Sequence, residues 1–145
     1  MKGIARTPSF FVRELMTQPI AVVHTSDSLR VAATAMRVRD LGFLPVVDDE
    51  RVVGVLTDRD LTVRATAAGL DPSSTTVDQV MTPDVIYCFD DETVGAAAAV
   101  MEAEGVRRLV VFDRKMKLVG VLTLDDLAAV PSEALPVGQT LGHLT

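Results

Sequence analysis

A threonine followed three positions later by an aspartate occurs twice, as Thr57 with Asp60 and as Thr123 with Asp126. Each pair comes at the end of an apolar run with β-branched residues, which predicts a buried strand that runs directly into a helix. A threonine at a helix N-cap accepts hydrogen bonds from free backbone N–H groups, and an acid in the first turn suits the helix dipole. An ionised carboxylate offers only acceptors, so it can also receive donors from a ligand. The pattern therefore allows two interpretations, a capping box or a ligand-binding acid.

Residues for covalent, acid–base or metal chemistry are scarce. His24 and His143 are the only histidines, and His24 aligns with Phe89 at a predicted strand position. Cys88 is the only cysteine, in an apolar run that predicts a buried strand. The sequence contains no Cys/His metal spacing, Gly-x-Ser-x-Gly elbow, Walker loop or Gly-x-Gly-x-x-Gly motif. We therefore expect no catalytic residues, no metal site and no enzymatic activity.

Composition narrows the class of protein further. The 145 residues suffice for one domain or two small ones, and the apolar share of 48% is ordinary for a globular protein. The formal charge of −6 argues against a nucleic-acid surface, which needs a dense stripe of Lys and Arg. No apolar run approaches the roughly 20 residues needed to span a bilayer. A soluble cytoplasmic protein that binds neither nucleic acid nor membrane is the expectation.

An internal repeat organises the chain at a spacing of 65 residues. Two sets of apolar residues share the spacing of one helix face, and Ser28 and Thr93 precede them as predicted N-caps: Leu29, Ala32, Ala33 and Met36; Val94, Ala97, Ala98 and Met101. Short apolar runs at 44–47 and 109–112 predict strands, and one extra residue in the second turn shifts the spacing to 66 for the Thr-x-x-Asp pairs. A helix is expected from Thr57 to about Ala68, ended by Gly69.

Each repeat is therefore predicted to follow the order strand, helix, strand, strand, helix, which is an α/β (α+β) fold. Half of the chain buries only a marginal core alone, so two tandem β-α-β-β-α repeats should pack around a pseudo-two-fold axis. The expected organisation is a flexible N-terminal lead (1–9), repeat 1 (10–69), a linker (70–76), repeat 2 (77–131) and a C-terminal tail (132–145). The tail has no counterpart in the repeat, and its role is left open.

These repeated residues resemble the CBS domain family. Met-Thr near the start, Leu-Pro-Val-Val-Asp in the middle and Gly-Val-Leu-Thr-x-x-Asp-Leu at the end are the similar motifs, and two copies resemble a Bateman module over residues 10 to 130. The Thr-Asp-Arg-Asp-Leu run at 57–61 is also similar to small stand-alone CBS proteins of the hypoxic-response type. Val110 departs from the family's Leu-Pro pattern, at the position of Pro45.

The resemblance implies a regulatory module that binds an adenosine compound, such as AMP, ADP, ATP or S-adenosylmethionine, and that requires no cofactor. In the family the Thr-x-x-Asp carboxylate accepts from both ribose hydroxyls, a role that falls here on Asp60 and Asp126. The family's basic pair corresponds to Arg107 and Arg108, and the cross-over seen in paired modules would place this pair in one cleft with Thr57 and Asp60. We therefore expect one good nucleotide site there and one weak or adenosine-only site at Thr123.

Two functions follow from the resemblance, and the residues alone do not decide between them. The first is an adenosine-nucleotide sensor, connected with a stress response, whose state is read by an unidentified effector protein. The second is a structural dimerisation module without a physiological nucleotide, in which Asp60 and Asp126 only cap helices. A homodimer is the expectation in both cases.

Overall fold

The computed structural model describes residues 10–18 and 20–130 of the chain. The predicted N-terminal lead (1–9) and C-terminal tail (132–145), including His143, lie outside the described residues. The helices and strands, in chain order, are α1 (Val12–Leu15), β1 (Val23–His24), α2 (Leu29–Arg39), β2 (Phe43–Asp48), β3 (Arg51–Thr57), α3 (Asp58–Asp60), β4 (Tyr87–Phe89), α4 (Val94–Glu104), β5 (Arg108–Phe112), β6 (Leu118–Thr123) and α5 (Leu124–Leu127). A π-helical segment at Leu61–Thr66 and a 3₁₀ turn at Val77–Gln79 complete the elements.

The chain forms two compact units, each built on a three-stranded mixed sheet. The first unit comprises residues 21–85, in which β1 pairs parallel with β2 and β2 pairs antiparallel with β3. In the second unit β4, β5 and β6 repeat that order and those directions. The predicted α+β class and the strand–helix–strand–strand–helix order are confirmed in each unit. The pseudo-two-fold arrangement and the repeat boundaries stay predictions.

The second unit is discontinuous, because residues up to 20 join residues from 86 onward. Val12 donates from its N–H to the Glu92 carbonyl at 2.9 Å, and its side chain is fully buried in the core of this unit. In the first unit Val77, 65 positions later, donates in the same way to the Asp27 carbonyl at 2.8 Å. The segment that precedes each repeat therefore packs on the other repeat. Residues 70–76, predicted as a linker, form part of the first unit.

Local sequence signals position the two long helices. The Ser28 hydroxyl accepts from the Val31 N–H, and the Thr93 hydroxyl accepts from the Ala96 N–H, so both predicted N-caps are confirmed. The predicted face of α4 is wholly buried. On α2 only Leu29, Ala32 and Met36 are buried. The expectation for Ala33 was wrong, since its methyl group is exposed.

Two glycines bring the Met-Thr segments close to the sheets. Gly54 lies against Met81 and Thr82, where an added Cβ would be 2.8 Å from the Thr82 carbonyl oxygen. Gly120 lies against Met16, whose sulfur would be 2.6 Å from an added Cβ. Val55 and Thr82 exchange backbone hydrogen bonds of 2.9 and 2.8 Å, and Thr17 exchanges the equivalent pair with Val121. Both Met-Thr segments are thus held beside the last strand of a sheet.

The helix after Thr57 differs from the prediction in its winding. The α-helical turn α3 covers only Asp58–Asp60, and the chain then continues as the π-helical segment Leu61–Thr66. Gly69 has a φ of 72°, and the Leu70 N–H bonds back to the Ala65 carbonyl at 3.0 Å. Glycine adopts this left-handed conformation without a Cβ penalty. The predicted stop at Gly69 is therefore correct, whereas a regular α-helix up to Ala68 was not.

Candidate functional site

Both Thr-x-x-Asp pairs lie where the last strand of a unit becomes a helix, and both form complete capping boxes. The Thr57 N–H donates to Oδ2 of Asp60 at 3.0 Å, and the Asp60 N–H donates to Oγ1 of Thr57 at 3.0 Å. The same two bonds join Thr123 and Asp126 at 2.9 and 3.1 Å. The reciprocal bonds satisfy two backbone donors at each helix start. Capping is thus a role that both acids have without any ligand.

Asp60 has further partners inside its unit. The Thr82 hydroxyl lies 3.2 Å from Oδ1 and 3.3 Å from Oδ2, so it donates to this carboxylate. Arg64 places its Nε 3.7 Å from Oδ1 and donates from Nη1 to the Met81 carbonyl at 3.0 Å. Asp60 is 7% exposed. Its carboxylate therefore links α3 to the Met81–Thr82 segment.

Asp126 has fewer partners. Within the described residues, the Thr123 N–H is the one donor that reaches its carboxylate, at Oδ2. Val130 stands at the position of Arg64, 66 residues later, so no cation matches that contact. Thr17 corresponds to Thr82, but its hydroxyl makes no such bond among the described residues. Oδ1 of Asp126 therefore keeps its acceptor capacity, and this side chain is only partly buried.

The arginine pair lies at the start of β5 in the second unit. Arg108 is the register partner of Thr123 across the antiparallel pair of β5 and β6. Directly opposite residues of such a pair project on the same side of a sheet. The Arg107 carbonyl accepts from the Leu124 N–H at 2.8 Å, and its side chain is exposed. The structure thus brings the arginines next to the start of α5, beside the capping box of Thr123 and Asp126.

The equivalent positions of the first unit carry no cation. Phe43 is the register partner of Thr57, and the Gly42 carbonyl accepts from the Asp58 N–H at 3.0 Å. The two strand-to-helix junctions therefore have the same backbone geometry and different charges. The cross-over that would place Arg107 and Arg108 with Asp60 stays a prediction.

Sequence reasoning missed the roles of Thr82 and Arg64. Thr82 belongs to the repeated Met-Thr motif, but nothing local to that motif indicates contact with an acid 22 positions earlier. Arg64 follows Asp60 by four positions, the spacing at which an acid and a base meet on one helix face. That spacing was the available signal for the Asp60–Arg64 pair.

Other chemistry receives little support from the described residues. Cys88 is 2% exposed, and burial raises the pKa of its thiol to about 12, with Glu92 and Asp90 adding to the effect. Within residues 10–18 and 20–130, no group of three His, Cys, Asp or Glu side chains is placed to hold a metal ion. The same part of the chain contains no helix of the length and apolar character that crossing a bilayer requires.

Solved structures of other proteins share this fold. Hypoxic Response Protein I, crystallised with two coordinated zinc ions, is 35% identical, with a TM-score of 0.74 over 83% of this chain and 99% of that one. The CBS domain pair of protein MJ0100, in complex with 5-methylthioadenosine and S-adenosyl-L-methionine, is 27% identical, with a TM-score of 0.75 over 83% and 94%. The CBS domain protein PAE2072 from Pyrobaculum aerophilum, complexed with AMP, is 26% identical, with a TM-score of 0.76 over 86% and 95%.

The sequence profile of the CBS domain matches residues 12–65 and 77–133, which together make up most of the chain. These two matches coincide with the two copies of the internal repeat, and each contains one Thr-x-x-Asp capping box. The predicted resemblance is therefore confirmed, and the chain belongs to the CBS domain family as a small protein with a pair of these domains.

Proposed function

We propose that this chain is a non-catalytic regulatory module that binds an adenosine compound through its two Thr-x-x-Asp pairs. The carrying observation is the pair of matched capping boxes, which present a carboxylate at the same strand-to-helix junction of each unit. Family members of similar extent bind AMP in one case and S-adenosylmethionine in another. AMP, ADP, ATP and S-adenosylmethionine are the proposed ligands.

A ribose diol is the chemical group that such an acid would recognise. Its two hydroxyls are adjacent donors, and an ionised carboxylate has two oxygens that only accept. Oδ1 of Asp126 has the acceptor capacity for this, whereas Asp60 already receives the Thr82 hydroxyl. Thr57 and Thr123 hold the carboxylates in place through the capping bonds.

Arg107 and Arg108 are the proposed phosphate ligands. A guanidinium group donates two parallel hydrogen bonds to a phosphate, and each charge-assisted bond contributes about 1.5–3 kcal/mol. These arginines should therefore distinguish AMP from adenosine, whichever acid holds the ribose.

Calorimetry with the ligand panel tests the proposal on the full chain. A ligand at about 100 times its dissociation constant should stabilise the fold by about 2.7 kcal/mol, which a thermal shift also detects. Asp126→Asn and Asp60→Asn keep a capping oxygen but turn one acceptor into a donor. Loss of one charge-assisted bond should weaken AMP binding at the affected site by roughly 10- to 150-fold.

Matched controls separate ribose recognition from general charge. Asp125 and Asp58 are exposed acids in the same first turns, so Asp125→Asn and Asp58→Asn should leave the affinity unchanged. 2′-Deoxy-AMP should bind the parent chain as weakly as AMP binds the variants. Arg107→Ala with Arg108→Ala should remove the preference for AMP over adenosine.

The alternative is a structural module without a nucleotide ligand. It is favoured by the capping boxes themselves, because capping explains both acids without a bound molecule. If none of the adenosine compounds binds at millimolar concentration, the sensor proposal fails and this alternative stands. As a sensor, the module would act in the cytoplasm and pass its state to an effector protein of unidentified kind.

A further inference from the structure

Helices α2 and α4 each carry an outward apolar face at matched positions. On α2 this outer face consists of Val31, Thr34, Ala35 and Val38, and the two valines are 52% and 74% exposed. These positions are spaced i, i+3, i+4 and i+7, so they line one side of the helix, opposite the buried Leu29, Ala32 and Met36. Within the described residues, nothing covers the valines.

The corresponding face of α4 is smaller in volume. It consists of Ala96, Ala99, Val100 and Ala103, each 65 positions after its counterpart on α2. Ala96 and Ala103 are exposed, and the other two are partly buried. Small side chains let another helix approach closely, so the projecting valines of α2 match the flat surface of α4 in shape.

The charges that flank these two faces are opposite. Arg37 and Arg39 lie on either side of Val38, whereas Glu102 and Glu104 lie at the same two positions beside Ala103. All four residues are exposed. Helix α2 contains no acid between Leu29 and Arg39, and α4 contains no base between Val94 and Glu104. The two outer faces are therefore complementary in charge as well as in shape.

The glutamates stand where a lone helix does not favour them. The C-terminal end of a helix carries a partial negative charge, which disfavours acids there and favours arginines such as Arg37 and Arg39. Glu102 and Glu104 occupy the last turn of α4 in spite of this local cost. A cationic surface that meets this end of α4 offsets the cost.

We propose that a second copy of this chain binds through these faces, with α2 of one copy packed against α4 of the other. Two-fold symmetry then produces the contact twice, since α4 of the first copy meets α2 of the second. Pairing of α2 with α2 would bring arginines together, and pairing of α4 with α4 would bring glutamates together. The charge pattern thus selects one of the possible ways in which two copies can associate. The inference does not depend on any ligand.

Charge reversal tests the pairing by sedimentation equilibrium of the full chain. The parent protein should be dimeric at micromolar concentration. R37E/R39E should weaken dimerisation by roughly tenfold or more, since opposite charges become like charges in both contacts. E102R/E104R should weaken it to a similar extent. The quadruple variant R37E/R39E/E102R/E104R should dimerise as the parent does, because opposite charges face each other again.

The quadruple variant separates the proposed pairing from self-pairing of each helix. If like helices met, all three variants would retain like charges across the contact, and the quadruple variant would not differ from the double ones. R51E/K115E is the matched control, with the same charge change on exposed turns, and should dimerise as the parent does. Circular dichroism verifies that each variant is folded.

Cross-linking provides a second measurement that does not rely on charge. Val38→Cys and Ala103→Cys, made in separate chains and mixed, should be joined by a short bismaleimide more efficiently than either variant with itself. Cys88 is buried, so the parent chain serves as the background. A parent protein that stays monomeric, a quadruple variant as weak as the doubles, or preferential self-cross-linking of Val38→Cys would each overturn the proposal.

Discussion

Replacing each capping aspartate by alanine should destabilise the first unit more than the second. Asp60→Ala removes the acceptor for the Thr57 N–H and for the Thr82 hydroxyl at a position that is 7% exposed. Loss of a cap costs about 1 kcal/mol, and a buried donor left without an acceptor costs about 1–3 kcal/mol more. The contact with Arg64 adds little, because that side chain is 51% exposed. We expect a loss of about 2–3 kcal/mol in the free energy of unfolding.

Asp126→Ala is the matched variant, with only the Thr123 cap to lose among the described residues. It should cost about 1 kcal/mol. Urea unfolding of the ligand-free chain, followed by circular dichroism, measures both values. Thr82→Val removes the hydroxyl at constant shape, so the double variant with Asp60→Ala isolates the coupling between Asp60 and Thr82. Equal losses for the two alanine variants, or additive effects of Asp60→Ala and Thr82→Val, would show that the Thr82 bond contributes nothing.

The remaining predictions concern close packing and the buried thiol. Gly54→Ala should destabilise by about 1–3 kcal/mol, because its new Cβ meets the backbone oxygen of Thr82, whereas Gly120→Ala should cost less, because the flexible Met16 side chain can move; equal midpoints in urea would contradict this. Cys88 should not react with Ellman's reagent at pH 8 until the chain unfolds. Since the pKa of the Cys88 thiol is raised from 9.0 to about 12 by folding, the unfolded state ionises first, and stability should fall as the pH rises above about 9; a flat pH profile from 8 to 11 would refute this.

Features that depend on residues a few positions apart were predictable from the sequence. Ser28 and Thr93 cap the helices as expected, and Gly69 ends the segment after α3, because each acts on backbone within about one helical turn. The two capping boxes were predictable for the same reason.

Features that depend on distant segments were not predictable in this way. The burial of Ala98 but not Ala33, at matched positions, depends on what packs over each helix. The contact of Thr82 with Asp60 requires the chain to return through 22 residues and lie beside β3. No periodicity or cap reports such a return, and the difference in partners between the two acids is visible only in three dimensions.

The split construction of the second unit has a consequence for synthesis on the ribosome. Residues 10–18 emerge first, but the core that receives Val12 consists of residues made after position 86. At typical translation rates that delay lasts roughly several seconds. Residues 21–85 are contiguous and can collapse during this interval, while the apolar amino-terminal arm has no docking site yet. A nascent chain stalled before position 86 should therefore recruit a chaperone through this arm, and one stalled after position 130 should not.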